Sequence, residues 1–161
     1  ERVLGAEHPV TATSLSNLAA LYYSQGKYEE ALPLFERALA IYERVLGAEH
    51  PDTAQSLNNL AALYYSQGKY EEALPMCERA LAINERVLGA EHPRTALSLN
   101  NLAGLYRSQG RDEEALPLYE RALAILMDRL GPQHPNTRLV QENYRALLER
   151  MGKDGEGGQG L

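Results

Sequence analysis

Residues 51–92 read PDTAQSLNNLAALYYSQGKYEEALPMCERALAINERVLGAEH, and this stretch decides the fold because it recurs on both sides of itself. Residues 9–50 differ from it at six positions, and residues 93–134 follow the same pattern with more changes. A period of 42 residues marks a repeat architecture, in which each unit buries its apolar face against the units beside it. The 161-residue chain is therefore predicted to be a linear array of three such units.

Each unit is predicted to consist of two helices. Pro51 suits the first position of a helix, where its missing N–H group costs nothing, and Gly68 ends that helix as a C-terminal glycine does. The second helix begins near Tyr70 and ends at Gly89, and Pro75 in its early turns is expected to cause a small bend rather than a break. Apolar residues at helical spacing define the faces expected in the core: Leu57, Leu60, Ala61 and Tyr64 in the first helix, and Ala73, Cys77, Ala80, Leu81, Val87 and Leu88 in the second.

The predicted fold is all-α: a right-handed superhelical solenoid of antiparallel helix pairs with seven helices. These helices are expected near residues 11–25, 28–46, 52–67, 70–88, 94–109, 112–130 and 136–151. The repeat domain, residues 1–151, contains units 9–50, 51–92 and 93–134 and a more polar capping helix at 136–151. Half of the residues in 152–161 are glycine, so this tail is expected to be disordered. Glu1–Leu4 repeat the end of a second helix, which predicts that the sequence is a fragment of a longer array.

The residues of one unit resemble the tetratricopeptide repeat. That family's pattern of large, small and aromatic residues is matched by Leu15, Leu18, Ala19, Tyr22, Ala31 and Phe35. The unit is longer than the usual repeat of about 34 residues, and Val-Leu-Gly-Ala-Glu-His-Pro at 87–93 closely resembles the kinesin-light-chain subfamily. The resemblance implies a helical solenoid that binds proteins or peptides, and it also fits a sensor array within a larger signalling protein.

An exposed stripe along the first helices is the predicted binding surface, because these helices line the concave side of a solenoid. In the family that the chain resembles, asparagines at this register hold the backbone of an extended peptide; tyrosines would add stacking surface. The candidate peptide-binding residues are Asn17, Asn58, Asn59, Asn100, Asn101, Asn143, Tyr23, Tyr65, Arg107 and Gln55. The alternative is that the asparagines bond neighbouring helices and fix the spacing of the repeats. Arg107 is the one cation in the stripe before the capping helix, which argues against a clamp for a C-terminal carboxylate.

Composition and charge argue against several other functions. A net charge of −6 disfavours nucleic acid or an anionic membrane as the partner, because both require a positive field. The single cysteine, Cys77, cannot form an internal disulfide, which indicates a reducing, cytoplasmic location. The four histidines lie one repeat apart, too far for the short bonds of one metal ion. Because the sequence also shows neither a phosphate loop nor a catalytic pair, no cofactor and no enzymatic activity are expected.

Two binding roles are left open. The first is a scaffold that binds an extended peptide or partner segment in the concave groove. The second is weak head-to-tail self-association, because the apolar face of the first helix has no preceding unit to cover it. In that hypothesis the face packs on the capping helix of another molecule, through Leu139, Leu147 and Leu148.

Overall fold

The computed structural model describes residues 5–152, and within this range it contains seven α-helices and no strand. The helices are α1 (Pro9–Ser24), α2 (Tyr28–Val45), α3 (Pro51–Ser66), α4 (Tyr70–Val87), α5 (Pro93–Ser108), α6 (Asp112–Arg129) and α7 (Pro135–Arg150). Each predicted helix is confirmed, with both ends within two residues of the expected positions. The expectations for residues 1–4 and 153–161, a helix end and a disordered tail, lie outside the described residues.

A histidine followed by a proline starts each first-type helix, the name used here for α1, α3, α5 and α7. His50 Nδ1 accepts a hydrogen bond from the backbone N–H of Asp52 over 3.1 Å, and Pro51 occupies the first helical position. His8, His92 and His134 cap their helices in the same way. Such an acceptor satisfies an N–H group that has no partner within the helix. The histidines therefore act at helix starts, as expected for residues that precede proline.

Glycines with left-handed backbone conformations follow the ends of α1, α3 and α5, before each chain turn into the next helix. Gly26, Gly68 and Gly110 have φ angles of 74°, 74° and 75°, a conformation that side chains disfavour. At the second of these, the N–H of Lys69 donates back to the Tyr64 carbonyl over 2.8 Å. This bond satisfies a carbonyl at the helix end and turns the chain toward the next helix.

The second-type helices, α2, α4 and α6, each contain a proline and remain continuous through it. Pro75 lies in the second turn of α4, where its ring removes one hydrogen bond to the preceding turn. The prediction that the proline does not break the helix is therefore confirmed.

The described chain divides into two compact units, one that ends at Leu88 and one that begins at Gly89. In the first unit, α2 packs against both α1 and α3, and α3 packs against α4. In the second unit, α6 packs against both α5 and α7, and α5 also contacts α7. Each unit thus holds a second-type helix between two first-type helices.

Helix α3 is buried on two sides within the first unit. One apolar cluster joins it to α1 and α2 and is formed by Ala19, Ala31, Phe35, Leu60 and Leu63. Another cluster joins it to α4 and is formed by Ala54, Leu57, Ala80 and Ile83. The alanines let the helices approach closely, since interhelical distances of roughly 8–10 Å depend on the size of the side chains at the contact.

Three core assignments from the sequence are incomplete or wrong. Leu63 and Ile83 are fully buried, although the predicted faces contained neither. Val87 was assigned to the core and is about half exposed at the end of α4. A single stripe at three- and four-residue steps describes a helix that is covered on one side, whereas α3 has neighbours on two sides.

The last helix, α7, is fastened to the second unit by apolar and polar contacts. Val140 and Leu147 are fully buried. At the helix end, Arg150 donates from Nε to Asp112 Oδ2 over 2.9 Å and from Nη2 to the Arg107 carbonyl over 2.7 Å. The expectation that Leu147 lies on an open surface is therefore wrong, because this side chain faces the interior; Leu139, by contrast, is exposed.

Candidate peptide-binding site

Four asparagines occupy the same register on the first-type helices, and we call Asn17, Asn59, Asn101 and Asn143 the amide stripe. Asn17 and Asn101 are exposed, whereas Asn59 and Asn143 are half-buried. Each amide carries donors and an acceptor, so an accessible asparagine can bond both an N–H and a C=O group of another chain. The structure therefore leaves at least two members of the stripe open to solvent, one in each unit.

Asn58 and Asn100 do not share that exposed face. They are 9% and 8% exposed, so the expectation that they lie with their neighbours on the open surface is wrong. The reason is geometric: consecutive residues of a helix point about 100° apart, since one turn takes about 3.6 residues. Two adjacent asparagines therefore cannot both lie on one narrow stripe, although the residue spacing does not indicate which of the two is buried.

Asn100 has a specific structural partner. Its Oδ1 accepts a hydrogen bond from Asn143 Nδ2 over 3.0 Å, which connects α5 to α7 within the second unit. This bond was not predicted as a particular pair, although bonding between neighbouring helices was the alternative to peptide binding. Asn143, at the C-terminal end of the stripe, therefore bonds a neighbouring helix, as that alternative states.

In the first unit, Gln55 orients Asn59. Gln55 Nε2 donates to Asn59 Oδ1 over 3.1 Å along one helix face. The amide N–H groups of Asn59 are then the part of this side chain that can bond a ligand carbonyl. Thr13 stands at the equivalent position in α1, and its hydroxyl lies 2.8 Å from the Tyr42 hydroxyl instead. Asn17 thus lacks the glutamine neighbour that Asn59 has.

The two candidate tyrosines differ in accessibility. Tyr23 is half-buried, its ring lies 5.5 Å from that of Tyr28, and its hydroxyl lies 2.7 Å from Ser66 Oγ. This side chain therefore links α1 to α3. Tyr65 is exposed, with its ring 5.4 Å from that of Tyr70. Of the two rings, Tyr65 presents more surface on which a ligand could stack.

Arg107 occupies the position of Tyr23 and Tyr65 in the second unit. Its side chain is half-buried in the last turn of α5, and its carbonyl accepts the hydrogen bond from Arg150. The equivalent residue of α7 is Glu149. This row therefore offers one cation and one anion rather than the set of cations that would hold a carboxylate.

Small residues lie beside the amide stripe at one further register. Ala20 and Ala62 are exposed, and Gly104 stands at their position in α5. A Cβ atom added at Gly104 would lie 3.6 Å from Tyr119 Oη, which is an ordinary contact. Small side chains at this position leave space for a ligand against the helix backbone.

Cys77 is not a reactive thiol. It is buried in α4, at the position that Phe35 and Tyr119 occupy in the other pairs, and burial raises its pKa to about 12. A thiol of this kind stays protonated at neutral pH and behaves as a small apolar residue. Across residues 5–152, no three or more His, Cys, Asp or Glu side chains are grouped so as to hold a metal ion. None of the seven helices combines the length and the apolar character needed to cross a membrane.

Comparison with known proteins supports the repeat architecture. A family model of the tetratricopeptide repeat matches residues 1–44, 10–76 and 52–128. A Podosopora anserina protein named for kinesin light chain, with nearly identical TPR-like repeats, is 32% identical and gives a TM-score of 0.77 over 96% of this chain and 73% of that chain. BtubC from P. vanneervenii is 29% identical, with a TM-score of 0.81 over 95% of this chain and 60% of that chain.

A more distant structure shares the fold alone. The first TPR domain of Spaghetti (RPAP3), bound to the HSP90 peptide SRMEEVD, is 20% identical and gives a TM-score of 0.64 over 88% of this chain and 95% of that chain. No curated protein matches the sequence. Because the family model spans most of the chain and the solved structures superpose over nearly all of it, the chain belongs to the tetratricopeptide repeat family and resembles its kinesin-light-chain members.

Proposed function

We propose that this chain is a protein–protein interaction module that binds an extended peptide segment of a partner along the amide stripe. The observation that carries the proposal is the exposed amide of Asn101 at the register of Asn17 and Asn59. One such amide can bond the N–H and C=O of a peptide backbone without requiring a particular side chain. The stripe would therefore recognise an extended backbone first and a sequence second.

The spacing of the repeats suits this mode of binding. Packed helices lie roughly 8–10 Å apart, and an extended peptide rises about 3.3 Å per residue. Within one unit, two successive asparagines of the stripe would then lie about three peptide residues apart. Tyr65 adds an exposed ring beside the stripe, and the low side chains at Ala62 and Gly104 leave space for the backbone.

The family supports a binding role rather than a catalytic one. Tetratricopeptide repeats commonly mediate protein–protein interactions, and the Spaghetti domain shows a peptide bound to this fold. An acidic peptide such as the HSP90 peptide is not proposed as the ligand of this chain, because the row of residues that contains Arg107 holds a single cation. The buried, reduced form of Cys77 fits a cytoplasmic location.

The test uses peptides selected from a phage-displayed library of short random sequences with the wild-type chain as bait. Asn59→Ala and Asn101→Ala should each weaken the binding of a selected peptide by about 1–3 kcal/mol, if each amide meets buried peptide groups. The melting temperature should change little, since both side chains reach solvent. Gln133→Ala, an exposed amide in the connection before α7, is the matched control and should leave affinity unchanged.

Two results would refute the proposal. One is a collapse of stability in both variants with unchanged peptide affinity, which would assign the asparagines to the fold. The other is selected peptides that bind equally well to the wild type and to the double variant, because they would then occupy another surface.

Head-to-tail self-association is the second candidate. It is favoured by the exposed Leu18 at one end of the described chain and the exposed Leu139 on α7. Its support is weaker than the sequence indicated, because Leu147 is buried within its own unit. Sedimentation over a wide range of concentrations tests it, and Leu139→Lys should abolish any association that uses α7.

A further inference from the structure

Two asparagines of the amide stripe occupy the same position of the repeat and make different hydrogen bonds. Asn143 on α7 donates from Nδ2 to Asn100 Oδ1 on α5, 43 residues earlier in the chain. Asn59 on α3 is the equivalent of Asn143, and Ser16 on α1 is the equivalent of Asn100. Within residues 5–152 no hydrogen bond joins Asn59 to Ser16. The link that these amides provide in the second unit therefore has no counterpart in the first.

The serine side chain explains one half of this difference. A hydroxyl oxygen lies one bond closer to the backbone than a carboxamide oxygen does, so Ser16 reaches less far than Asn100. Ser16 Oγ is buried and has no hydrogen-bond partner in the described part of the chain. Such an atom is costly to bury, so it would be bonded if the neighbouring helix offered it a group within reach.

Gln55 explains the other half. Its Nε2 donates to Asn59 Oδ1 over 3.1 Å, whereas the equivalent residue on α7 is Leu139, which has no donor. The oxygen of Asn59 is therefore engaged. No group in residues 5–152 accepts a hydrogen bond from its Nδ2. An amide in this state offers N–H donors, and its natural ligand is an oxygen acceptor.

The missing bond is not due to a missing neighbour. The acceptor helices α1 and α5 are each followed by another first-type helix in the same unit, α3 in one case and α7 in the other. A second link between the same helices is present in both units. The Tyr23 hydroxyl lies 2.7 Å from Ser66 Oγ, and Arg150 Nη2 donates to the Arg107 carbonyl over 2.7 Å. The side chains, and not the helix arrangement, decide whether the amides meet.

We propose that Ser16 makes Asn59 the ligand-binding asparagine of the first unit, and that the group which Asn59 binds is a carbonyl oxygen of the peptide. Ser16 acts as a positioning residue, because it withholds the acceptor that would occupy the Asn59 amide. Asn100 has the opposite effect in the second unit, where its oxygen takes the donor of Asn143. This inference rests on the amide-stripe proposal and adds which asparagine binds and what it recognises.

Reciprocal substitutions exchange the two situations. Ser16→Asn supplies the missing acceptor, and the fold accepts a carboxamide at this position, since Asn58 occupies it in α3 and is 9% exposed. The variant should bind a peptide selected on the wild-type chain about fivefold or more weakly, as Asn59→Ala should. Ser16→Ala removes the hydroxyl without adding an acceptor. It is the matched control and should bind the peptide as the wild type does.

Side-chain amide NMR spectra follow the two asparagines without any ligand. The Asn59 and Asn143 signals are identified by their loss in Asn59→Ala and Asn143→Ala. In the wild type the Asn59 amide protons should exchange with water faster than those of Asn143. Ser16→Asn should slow the exchange at Asn59, and Asn100→Ser should speed it at Asn143, because each change adds or removes one acceptor.

Asn59→Asp tests the chemistry of the contact. A carboxylate has the shape of the amide and offers no donor, yet it can still accept from Gln55. Binding should fall at least as much as in Asn59→Ala, since two oxygens would then face each other. Wild-type affinity in Asn59→Asp would show that Asn59 accepts a hydrogen bond from the peptide, which overturns the assignment of a carbonyl.

Two further results overturn the role of Ser16. One is equal proton exchange at Asn59 and Asn143 in the wild type. The other is a Ser16→Asn variant that keeps full peptide affinity although Asn59→Ala loses it. A different outcome identifies a failure of the amide-stripe proposal itself: the exchange rates change as expected, but neither Ser16→Asn nor Asn59→Ala alters affinity. The claim that Asn59 binds the peptide then falls, and the control of its amide by Ser16 stands.

Discussion

Asn143 on α7 donates its side-chain N–H to Asn100 Oδ1 on α5 over 3.0 Å, so one member of the amide stripe also helps to hold the second unit together. The acceptor is nearly inaccessible to water, whereas Asn17 and Asn101 are exposed. Asparagines at one register thus have different surroundings. A binding experiment that removed all four at once would confuse recognition with stability.

Asn143→Ala is expected to lower the free energy of unfolding by about 1–2 kcal/mol, because it leaves the buried Asn100 oxygen without its donor. Asn17→Ala makes the same chemical change at an exposed position and should alter stability by less than about 0.5 kcal/mol. Urea unfolding of the two variants measures the difference. Equal stabilities would show that the Asn143–Asn100 bond contributes little to the fold.

Gly104 and Gly68 should respond in opposite directions to replacement by alanine. Gly104 lies inside α5, where an added Cβ would make only an ordinary contact with Tyr119 Oη at 3.6 Å, so Gly104→Ala should raise stability by about 0.5–1 kcal/mol. Gly68 has a φ of 74°, so Gly68→Ala should lower stability by about 1–2 kcal/mol. Thermal unfolding of the two variants checks both signs, and two changes of the same sign would contradict this account.

Above pH 9 the buried thiol of Cys77 should make the protein less stable as pH rises. Burial raises its pKa from 9.0 to about 12, so the unfolded chain loses this proton at a lower pH than the folded chain. Between those values the unfolded state binds fewer protons, and stability falls by up to about 1.4 kcal/mol per pH unit. Below pH 9 both states keep the proton, and this group contributes no dependence.

Cys77→Ala isolates the thiol from the other groups that titrate at high pH. Burial also raises the pKa values of Tyr64 and Tyr144, and these tyrosines are unchanged in the variant. The variant starts from a lower stability because a buried side chain is shortened. Its stability should nevertheless fall less steeply between pH 9 and pH 12, as measured by urea unfolding. Parallel profiles for the two proteins would show that Cys77 does not titrate across that range.

Local chemistry made the helices predictable. Proline after a capping histidine starts α3, and a glycine with positive φ follows its end, so both limits depend on residues close in sequence. The long second-type helices could be predicted for the same reason, since Gly47 follows the end of α2 and Gly89 follows the end of α4. The register of the amide stripe likewise follows from the 42-residue period.

Burial was harder to predict, because it depends on which neighbours a helix has. Asn58 and Asn59 are adjacent and chemically identical, yet one is buried and the other half-buried, since α3 has packed helices on two sides. Asn100 and Asn143 are 43 residues apart, and nothing in the sequence identifies them as a pair. Only packing in three dimensions assigns one asparagine to the interior and its neighbour to the surface.

Leu18 and Leu60 show most clearly which features depend on local sequence and which depend on tertiary packing. The sequence by itself determined the repeat, its helices and the equivalence of these two leucines, because those features depend on local propensity and on period. The tertiary structure alone decided that Leu60 lies in a core and that Leu18 meets solvent. The physical reason is that a side chain is removed from water by the helix beside it, and α3 has α2 on that side whereas the described chain places no helix there on α1.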